Sequence, residues 1–235
     1  MQNKINKNDV WKMFDSISGK YDILNRLVSM GLDKRWRKRV LSFIANDKPL
    51  KLLDLCTGTG DQIFAIASQR EKIKFVGVDL SNEMLKIAEL KKTKLKRLQK
   101  ISFMKADSSL LPFPDLAFDL ITISFGIRNV SNLNKCLEEM NRVLRKNAEL
   151  FILEFSLPDN FFIKTIFLFY LTKIVPFIGK IICGDRLPYL YLGDTIKTFP
   201  YGQDFIKIIE SKNFKNVRVE KILFGAVSLY YAIKE

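Results

Sequence analysis

The stretch LKLLDLCTGTGDQIF, residues 50–64, restricts what this chain can fold into more than any other. Leu50, Leu52, Leu53 and Leu55 rise to a glycine turn, Gly58-Thr59-Gly60, after which Ile63, Phe64 and Ala67 recur at helical spacing. Strand, tight turn and helix make the first unit of an open α/β sheet. A second unit closes about 20 residues later, the separation expected of a nucleotide-type fold, in KFVGVDL with Asp79 at its strand end. Glycine lets the backbone approach a ligand, and an acid at the next strand tip can accept ribose hydroxyls. Together they point to a nucleoside-type cofactor.

The same turn narrows the cofactor class. A P-loop requires GxxxxGK[ST], and no lysine follows Gly60. A dinucleotide fingerprint needs its third glycine where this chain has Ile63, and it places a pyrophosphate at the helix N-terminus. Asp61 occupies that first turn; its charge gains from the helix dipole but repels pyrophosphate. A cofactor without phosphate, carrying an amino group and a sulfonium, removes the conflict, and S-adenosylmethionine has that character. Asp54, at the strand end, is expected to reach its amino group through water, with Gly58 and Gly60 letting the backbone pass close.

Around this unit, apolar strands alternate with helices. Residues 9–45 are expected to be two helical segments, through Val10, Phe14, Ile17, Tyr21 and Leu24 and then Trp36, Val40 and Phe43, interrupted at Gly19 and Gly31. A helix capped by Ser81 carries Met84, Leu85, Ala88, Leu95 and Leu98, with a basic tail that includes Lys96 and Arg97. Strands follow at 101–107, 118–124 and 148–156, with a helix capped by Ser131 before the last of them. The rhythm implies a largely parallel sheet with helices on both faces. Residues 189–214 read as a turn and a helix over Gln203 to Ser211, and a terminal hairpin around Gly225-Ala226 completes the sheet. Between them, residues 161–182 are very apolar, but Lys164, Lys173 and Lys180 interrupt the run and Pro176 splits it, making it a poor transmembrane span. A buried cap helix, a wall for an apolar substrate and an interfacial helix all fit this composition.

Charge and rare residues exclude whole chemistries. With no histidine, zinc and iron sites and histidine-based triads lose their usual groups. Cys56, Cys136 and Cys183 have no CxxC spacing, which argues against zinc or a disulfide framework. A net charge of +14 suits nucleic acid or an anionic membrane but selects neither, and the basic tail lacks the interleaved aromatics of a nucleic-acid patch. No nucleic-acid partner is expected. The segment MQNKINKNDVWKMF has no apolar run of signal-peptide length, so a cytoplasmic protein is expected.

The chain resembles the menaquinone and ubiquinone biosynthesis C-methyltransferases. Tyr21-Asp22-Ile23-Leu24-Asn25 through Ser29 to Trp36 matches the family's first signature, LDLCTGTGD its S-adenosylmethionine loop, and GVDLSNEML its ribose strand. KADSSLLPFPD matches the adenine edge, FDLITISFGIRNV its most distinctive block, RVLRKNAELFILEFS the second signature, and YLYLGDTIKTFP the C-terminal substrate region. The resemblance implies one α/β domain over 1–235. Its doubly wound, mostly parallel seven-stranded sheet would be of the class I S-adenosylmethionine-dependent methyltransferase type, with a helical N-terminal arm (1–45) and an apolar cap (157–200). It implies a cofactor site at Thr59, Asp79, Asp107, Ser108 and Ser124, where Asp79 takes both ribose hydroxyls, Asp107 the adenine amino group, and Ser124 sits beneath the methionine end.

Three departures from the family stand out. Asp33 replaces a common histidine, Lys146-Asn147-Ala148 replaces a PGG turn, and Thr195 replaces a serine. The expected reaction is carbon methylation of a prenylated hydroquinone, most simply demethylmenaquinol, with a benzoquinol as the alternative acceptor. Arg128 is expected to stabilise the phenolate, Asn129 to orient the ring oxygen or water, Tyr21 to form a wall or relay, and Asp22 to accept a proton through water. The apolar block, helped by Lys34, Arg35, Arg37, Lys38 and Arg39, is expected to meet a membrane-resident prenyl tail or an anionic bilayer at the inner face of the cell membrane. A homo-oligomer is compatible with the sequence. Competing functions are an RNA or other small-molecule methyltransferase and a non-catalytic partner protein.

Overall fold

A computed structural model describes residues 7–44, 48–94 and 100–235. The glycine-turn unit forms as the leucine pattern requires: β1 (Leu50–Leu55) enters the turn and α3 (Asp61–Ala67) leaves it. Before it lie α1 (Val10–Val28) and α2 (Asp33–Leu41). After it come β2 (Ile73–Asp79), α4 (Asn82–Thr93), β3 (Ile101–Lys105), β4 (Phe118–Ser124), α5 (Leu133–Val143) and β5 (Leu144–Phe155). The chain ends with α6 (Phe161–Phe169), α7 (Val175–Cys183), α8 (Leu187–Thr198), α9 (Gln203–Glu210), β6 (Phe214–Ile222) and β7 (Val227–Lys234). The sheet order is β3-β2-β1-β4-β5-β7-β6, with β7 antiparallel to both its neighbours and the other pairs parallel. The order reverses beside β1, so the C-terminal ends of β1 and β4 open a crevice, the place such sheets bind ligands.

The strands bury both faces. Leu53, Leu55, Ile121 and Ile123 pack with Leu137 and Met140 of α5 and with α9 on one side. Leu52, Leu120, Phe151 and Leu153 pack with Trp36 and Val40 of α2 and with α3 on the other. A third cluster, Leu24, Leu171, Val175, Tyr189 and Ile196, joins the N-terminal arm to the C-terminal helices. Each such side chain removed from water contributes about 1.5–3 kcal/mol, so the two sheet faces dominate stability.

Several expectations need correction. Gly19 does not interrupt α1, which runs through it; the break falls at Gly31, where φ is +75°. The helix after Asn132 is capped by that residue, whose side chain accepts from the Lys135 N–H, and not by Ser131. Strand β5 starts at Leu144 because Phe118 pairs with it before the register slips to Leu120 opposite Glu149. Asn147, at φ +60°, forms the irregularity between those pairings. Helix α8 replaces the expected turn: the Tyr189 ring occupies the space a Cβ on Gly179 would fill, coming within 2.0 Å of that position, and this close approach holds α8 on α7. Leu95, Lys96, Arg97 and Leu98, expected in the Ser81-capped helix, lie outside the described residues, as do residues 1–6.

The apolar block is not a buried cap helix. It runs through α6, a π-helical segment (Tyr170–Ile174) and α7, and α6 buries no residue. Phe161, Phe162, Ile166, Phe169, Phe177 and Ile181 are exposed, whereas Leu171 and Val175 anchor the run to the third cluster. Nor is it a poor transmembrane span by composition, as the three lysines and Pro176 suggest: Phe161–Ile182 is one helical run long and apolar enough to cross a bilayer, and little of it is buried.

Candidate active site

At the end of β1 the chain turns sharply: the Gly60 N–H donates to the Thr57 carbonyl at 2.9 Å, and the Thr57 N–H to Val78 at 3.0 Å. Gly60 adopts φ +82°, and a Cβ there would meet the Phe64 ring at 2.7 Å. Its glycine is thus required by the turn and by Phe64, and it does not face a ligand. Gly58 does, with no atom within 4 Å of its Cβ position. Asp79, at the end of β2, receives the Gly58 N–H on Oδ2 (2.8 Å) and the Ser81 N–H on Oδ1 (2.9 Å), with the Leu80 N–H a further donor, and its carboxylate opens on the cleft. Burial pushes its pKa upward, and these N–H donors oppose that.

Gly58, Asp79, Asp107, Ser108, Ser124 and Asn129 line one cleft of about 390 Å³, within the range of small-molecule sites. Asp107 accepts the Ser109 N–H on Oδ1 at 2.7 Å, and the Ser124 hydroxyl donates to Gln62 at 2.9 Å. Asn129 Oδ1 is buried without a hydrogen-bond partner. An unspent acceptor, two strand-end carboxylates and an open backbone at Gly58 suit a cofactor with ribose and amino groups, and S-adenosylmethionine fits this donor and acceptor set.

Helix α1 roofs the cleft with Val10, Trp11, Phe14 and Tyr21. Lys105 stands 5.3 Å from the Trp11 ring centroid. An ionic chain pins this roof to the glycine turn. Asp22 accepts from the Thr59 hydroxyl at 2.6 Å and pairs with Lys91 at 2.5 Å. Lys91 also pairs with Asp61 at 2.8 Å, Asp61 with Arg26 at 2.7 Å, and Arg26 with Asp33. Burial raises the Asp61 pKa, but Arg37, Lys91 and Arg26 outweigh it and hold the carboxyl below its usual value. Asp33, the departure from the family histidine, is buried and also receives the Ser29 hydroxyl at 2.9 Å.

Beside the cleft lies a smaller cavity of about 70 Å³ that shares Phe14, Tyr21 and Phe125 with it. Its aromatic walls include Trp36, Phe125 and Phe155, the last two with ring centroids 4.8 Å apart. Arg37 lies over Phe125 (5.3 Å) and Arg128 over Phe155 (5.4 Å). Arg128 donates to Glu154 at 2.5 Å and to the Phe125 carbonyl at 2.7 Å. Tyr21 is hydrogen-bonded to the Asn25 side chain; burial raises its pKa while Arg37 and Arg128 pull it back.

The structure thus gathers Gly58, Asp79, Asp107, Ser108, Ser124, Asn129 and Tyr21 at the cleft and puts Arg128 in the adjoining cavity. Asp54, Thr59, Gly60 and Asp22 stand behind the wall. Asp54 accepts the Thr57 and Thr122 hydroxyls at 2.7 and 2.6 Å, and burial pushes its pKa up to about 6. Thr59 and Asp22 are spent on each other and on Lys91. Sequence reasoning missed Glu154 and the inward turn of Arg37. Glu154 carried a signal, an acid near the C-terminal end of the strand beside β4.

Comparison with known proteins agrees with this geometry. The family model described as "ubiE/COQ5 methyltransferase family" matches residues 2–234. The demethylmenaquinone methyltransferase of Bacteroides fragilis is 37% identical over 225 residues, covering 96% of this chain and 92% of that one. The ubiquinone/menaquinone biosynthesis C-methyltransferase UbiE of Geotalea uraniireducens is 37% identical over 226 residues, covering 96% of each. The crystal structure of a SAM-dependent methyltransferase from Aquifex aeolicus superposes with a TM-score of 0.60 at 21% identity, covering 85% of this chain and 89% of that one, a likeness of fold. With a class I sheet, a cleft suited to S-adenosylmethionine and a match over nearly all its length, the chain belongs to the ubiE/COQ5 methyltransferase family and is an S-adenosylmethionine-dependent methyltransferase.

Proposed function

We propose that this enzyme methylates a ring carbon of a prenylated hydroquinone, with demethylmenaquinol as the acceptor. The observation that carries the acceptor class is the aromatic cavity joined to the cofactor cleft through Phe14, Tyr21 and Phe125. A flat ring packed against the wall that Phe125, Phe155 and Trp36 form would lie next to the methyl donor. At about 70 Å³ the cavity is below the size of a bicyclic quinol site, so admission of the ring requires its walls to part. The names of the Bacteroides and Geotalea relatives support the same substrate class.

S-adenosylmethionine, when bound, supplies an electrophilic methyl on a sulfonium. Asp79 would hold the ribose hydroxyls, with Asp107 and Ser108 at the base and Ser124 and Asn129 towards the methionine end. Asn129 Oδ1, lacking a partner, would orient a ring hydroxyl or water. Tyr21, shared by both cavities, forms the wall between cofactor and acceptor. Arg128 is neutralised by Glu154, so it would orient the ring through its remaining N–H groups. Asp22, Asp54, Thr59 and Gly60 act by shaping the turn and its roof.

Delivery of a membrane-resident tail is supported by the exposed aromatic side of α6 and α7. Leu24 and Tyr189 line the small cavity and also pack with Leu171 and Val175 of that run, which links the apolar surface to the ring site. The enzyme would then act peripherally at a bilayer. Labelled S-adenosylmethionine with demethylmenaquinol or a demethylated benzoquinol in detergent tests the acceptor. Label in the naphthoquinol alone is expected, label in the benzoquinol alone changes the acceptor, and label in neither removes the quinol assignment.

A further inference from the structure

Arg37 is a buried cation whose charge reaches the Asp61 carboxylate only through space, without a direct ion pair. The inward face of α2 reads Asp33, Trp36, Arg37, Val40 and Leu41, so the helical period turns this guanidinium inward while Lys34, Arg35, Lys38 and Arg39 face water. It is 9% exposed, its Nε is buried without a hydrogen-bond partner, and it forms no ion pair with any described residue. The acids around it are committed elsewhere. Asp33 is held by Arg26 and Ser29, Asp61 by Arg26 and Lys91, Asp54 by two threonines, and Glu154 by Arg128. The cavity therefore contains one guanidinium in a direct ion pair and one without. A desolvated charge left unpaired is strongly unfavourable, and an arriving anion relieves it. Tyr191 lines the same cavity, and its hydroxyl is likewise buried without a partner.

We propose that Arg37, with the Tyr191 hydroxyl, is the receptor for the ring oxygen of the acceptor in its phenolate form, and that Arg37 rather than Arg128 supplies the compensating charge. This rests on the quinol acceptor proposed above. The phenol proton leaves to water, and the phenolate electron pair moves into the ring. The neighbouring ring carbon bonds the methyl carbon as the bond from that carbon to sulfur breaks and sulfur keeps the pair. The ring carbon's own proton then leaves to water, which restores the aromatic ring as a phenolate, and the oxygen takes a proton back from water to give the phenol, so that one proton is released overall. Arg37 favours the ionised oxygen, and so raises the share of the acceptor present as the nucleophilic phenolate at neutral pH. Phe125, which it overlies, is also a wall of the cofactor cleft, so the anion site and the methyl site are neighbours.

The test uses the full-length protein loaded with S-adenosylhomocysteine and 1-naphthol, a phenol without the quinol's redox chemistry, whose ionisation is followed by absorbance. Wild type is expected to ionise the bound phenol about one pH unit or more below the free molecule, as an adjacent cation does. In Arg37→Met the bound phenol ionises as it does in solution, while affinity for S-adenosylhomocysteine stays within about twofold, since no cofactor contact is removed. With demethylmenaquinol, Arg37→Met lowers kcat/KM about 100-fold at neutral pH and moves the acidic limb of the rate profile upward. Tyr191→Phe lowers kcat/KM about tenfold, the loss of one hydrogen bond to a charged group. Wild type that binds no 1-naphthol, or binds it without moving its ionisation, overturns the proposal, and this arm decides even where Arg37→Met does not fold. Methylation of demethylmenaquinol with the rate and acidic limb unchanged in Arg37→Met removes the receptor and leaves the acceptor assignment standing. Early ionisation of 1-naphthol by a wild type that methylates no quinol removes the acceptor assignment and leaves the anion site in place.

Discussion

Arg128, in the single helical turn after β4, and Glu154, near the end of β5, form a buried ion pair 2.5 Å apart, with side chains 7% and 1% exposed. Glu154 also accepts the Phe155 N–H at 2.8 Å, which adds to the donors on its carboxylate. Removing one member leaves the other charged in an apolar site, which destabilises by about 3–5 kcal/mol. Glu154→Gln should lose about that much stability in urea unfolding. The double substitution Arg128→Met, Glu154→Met should recover most of it, because a well-packed apolar pair often replaces a buried ion pair without loss. If Arg128 orients the acceptor, methyl transfer in the double variant stays low although the fold has recovered. Full activity there would show that the pair is only structural.

Asp79 tests the cofactor assignment separately. Its two oxygens already take the Gly58 and Ser81 N–H groups. Asp79→Asn turns an –NH₂ towards one of them, removing both the charge and one acceptor. Charge-assisted hydrogen bonds contribute about 1.5–3 kcal/mol each, so calorimetry should find S-adenosylmethionine affinity about 100-fold weaker. An unchanged affinity would move the ribose site elsewhere.

The sheet was legible because each strand is a short apolar run ended by a glycine turn or an acid, and Asp79 and Asp107 declared themselves as strand tips. Partnership was not legible. Asp54 and Asp79 look alike in sequence, yet two threonine hydroxyls hide the first while the second opens on the cleft. Arg37 was grouped with the surface cations that flank it, although Asp33, Trp36, Val40 and Leu41 already marked its face as the inward one. Helix α8 was missed because Gly193 and Asp194 resemble a turn; packing of Tyr189 on Gly179 overrode that local signal.

Asp54 makes a pH prediction. Its pKa is raised in the folded protein, to about 6 from 3.8, so between these values the native state binds more protons than the unfolded one. Stability therefore falls as pH rises through that window, by up to about 3 kcal/mol, and levels off above it. Asp54→Asn lacks the titration. Urea midpoints from pH 4 to 7.5 should show wild type losing stability relative to Asp54→Asn; parallel curves would show that the carboxyl is not perturbed.

The chain of Asp22, Lys91, Asp61, Arg26 and Asp33 ties α1 to the glycine turn. Lys91 is the shared member, touching Asp22, Thr59 and Asp61. In Lys91→Met two partly buried carboxylates lose their common cation. Amide hydrogen exchange in α1 should accelerate about tenfold or more, a local opening made easier by about 1.4 kcal/mol, while β1 and β4 keep their protection. Equal acceleration throughout would mean that the network supports the whole domain and not the roof.

Phe161, Phe169 and Phe177 present rings to solvent along one apolar run, 79, 59 and 65% exposed, with Lys164, Lys173 and Lys180 among them. Apolar side chains that enter a bilayer contribute roughly in proportion to area, and basic residues near an anionic surface add about 1 kcal/mol each. Replacing the three phenylalanines by serine exposes no core, since all three rings already face solvent. Flotation with phosphatidylglycerol-containing vesicles should recover wild type in the lipid fraction and leave the triple variant in the aqueous one. Thermal stability should be unchanged, and activity on a quinol dispersed in detergent should be retained. Loss of detergent activity as well would place these rings in the acceptor's path inside the protein, whereas equal flotation of both proteins would assign membrane contact to another face.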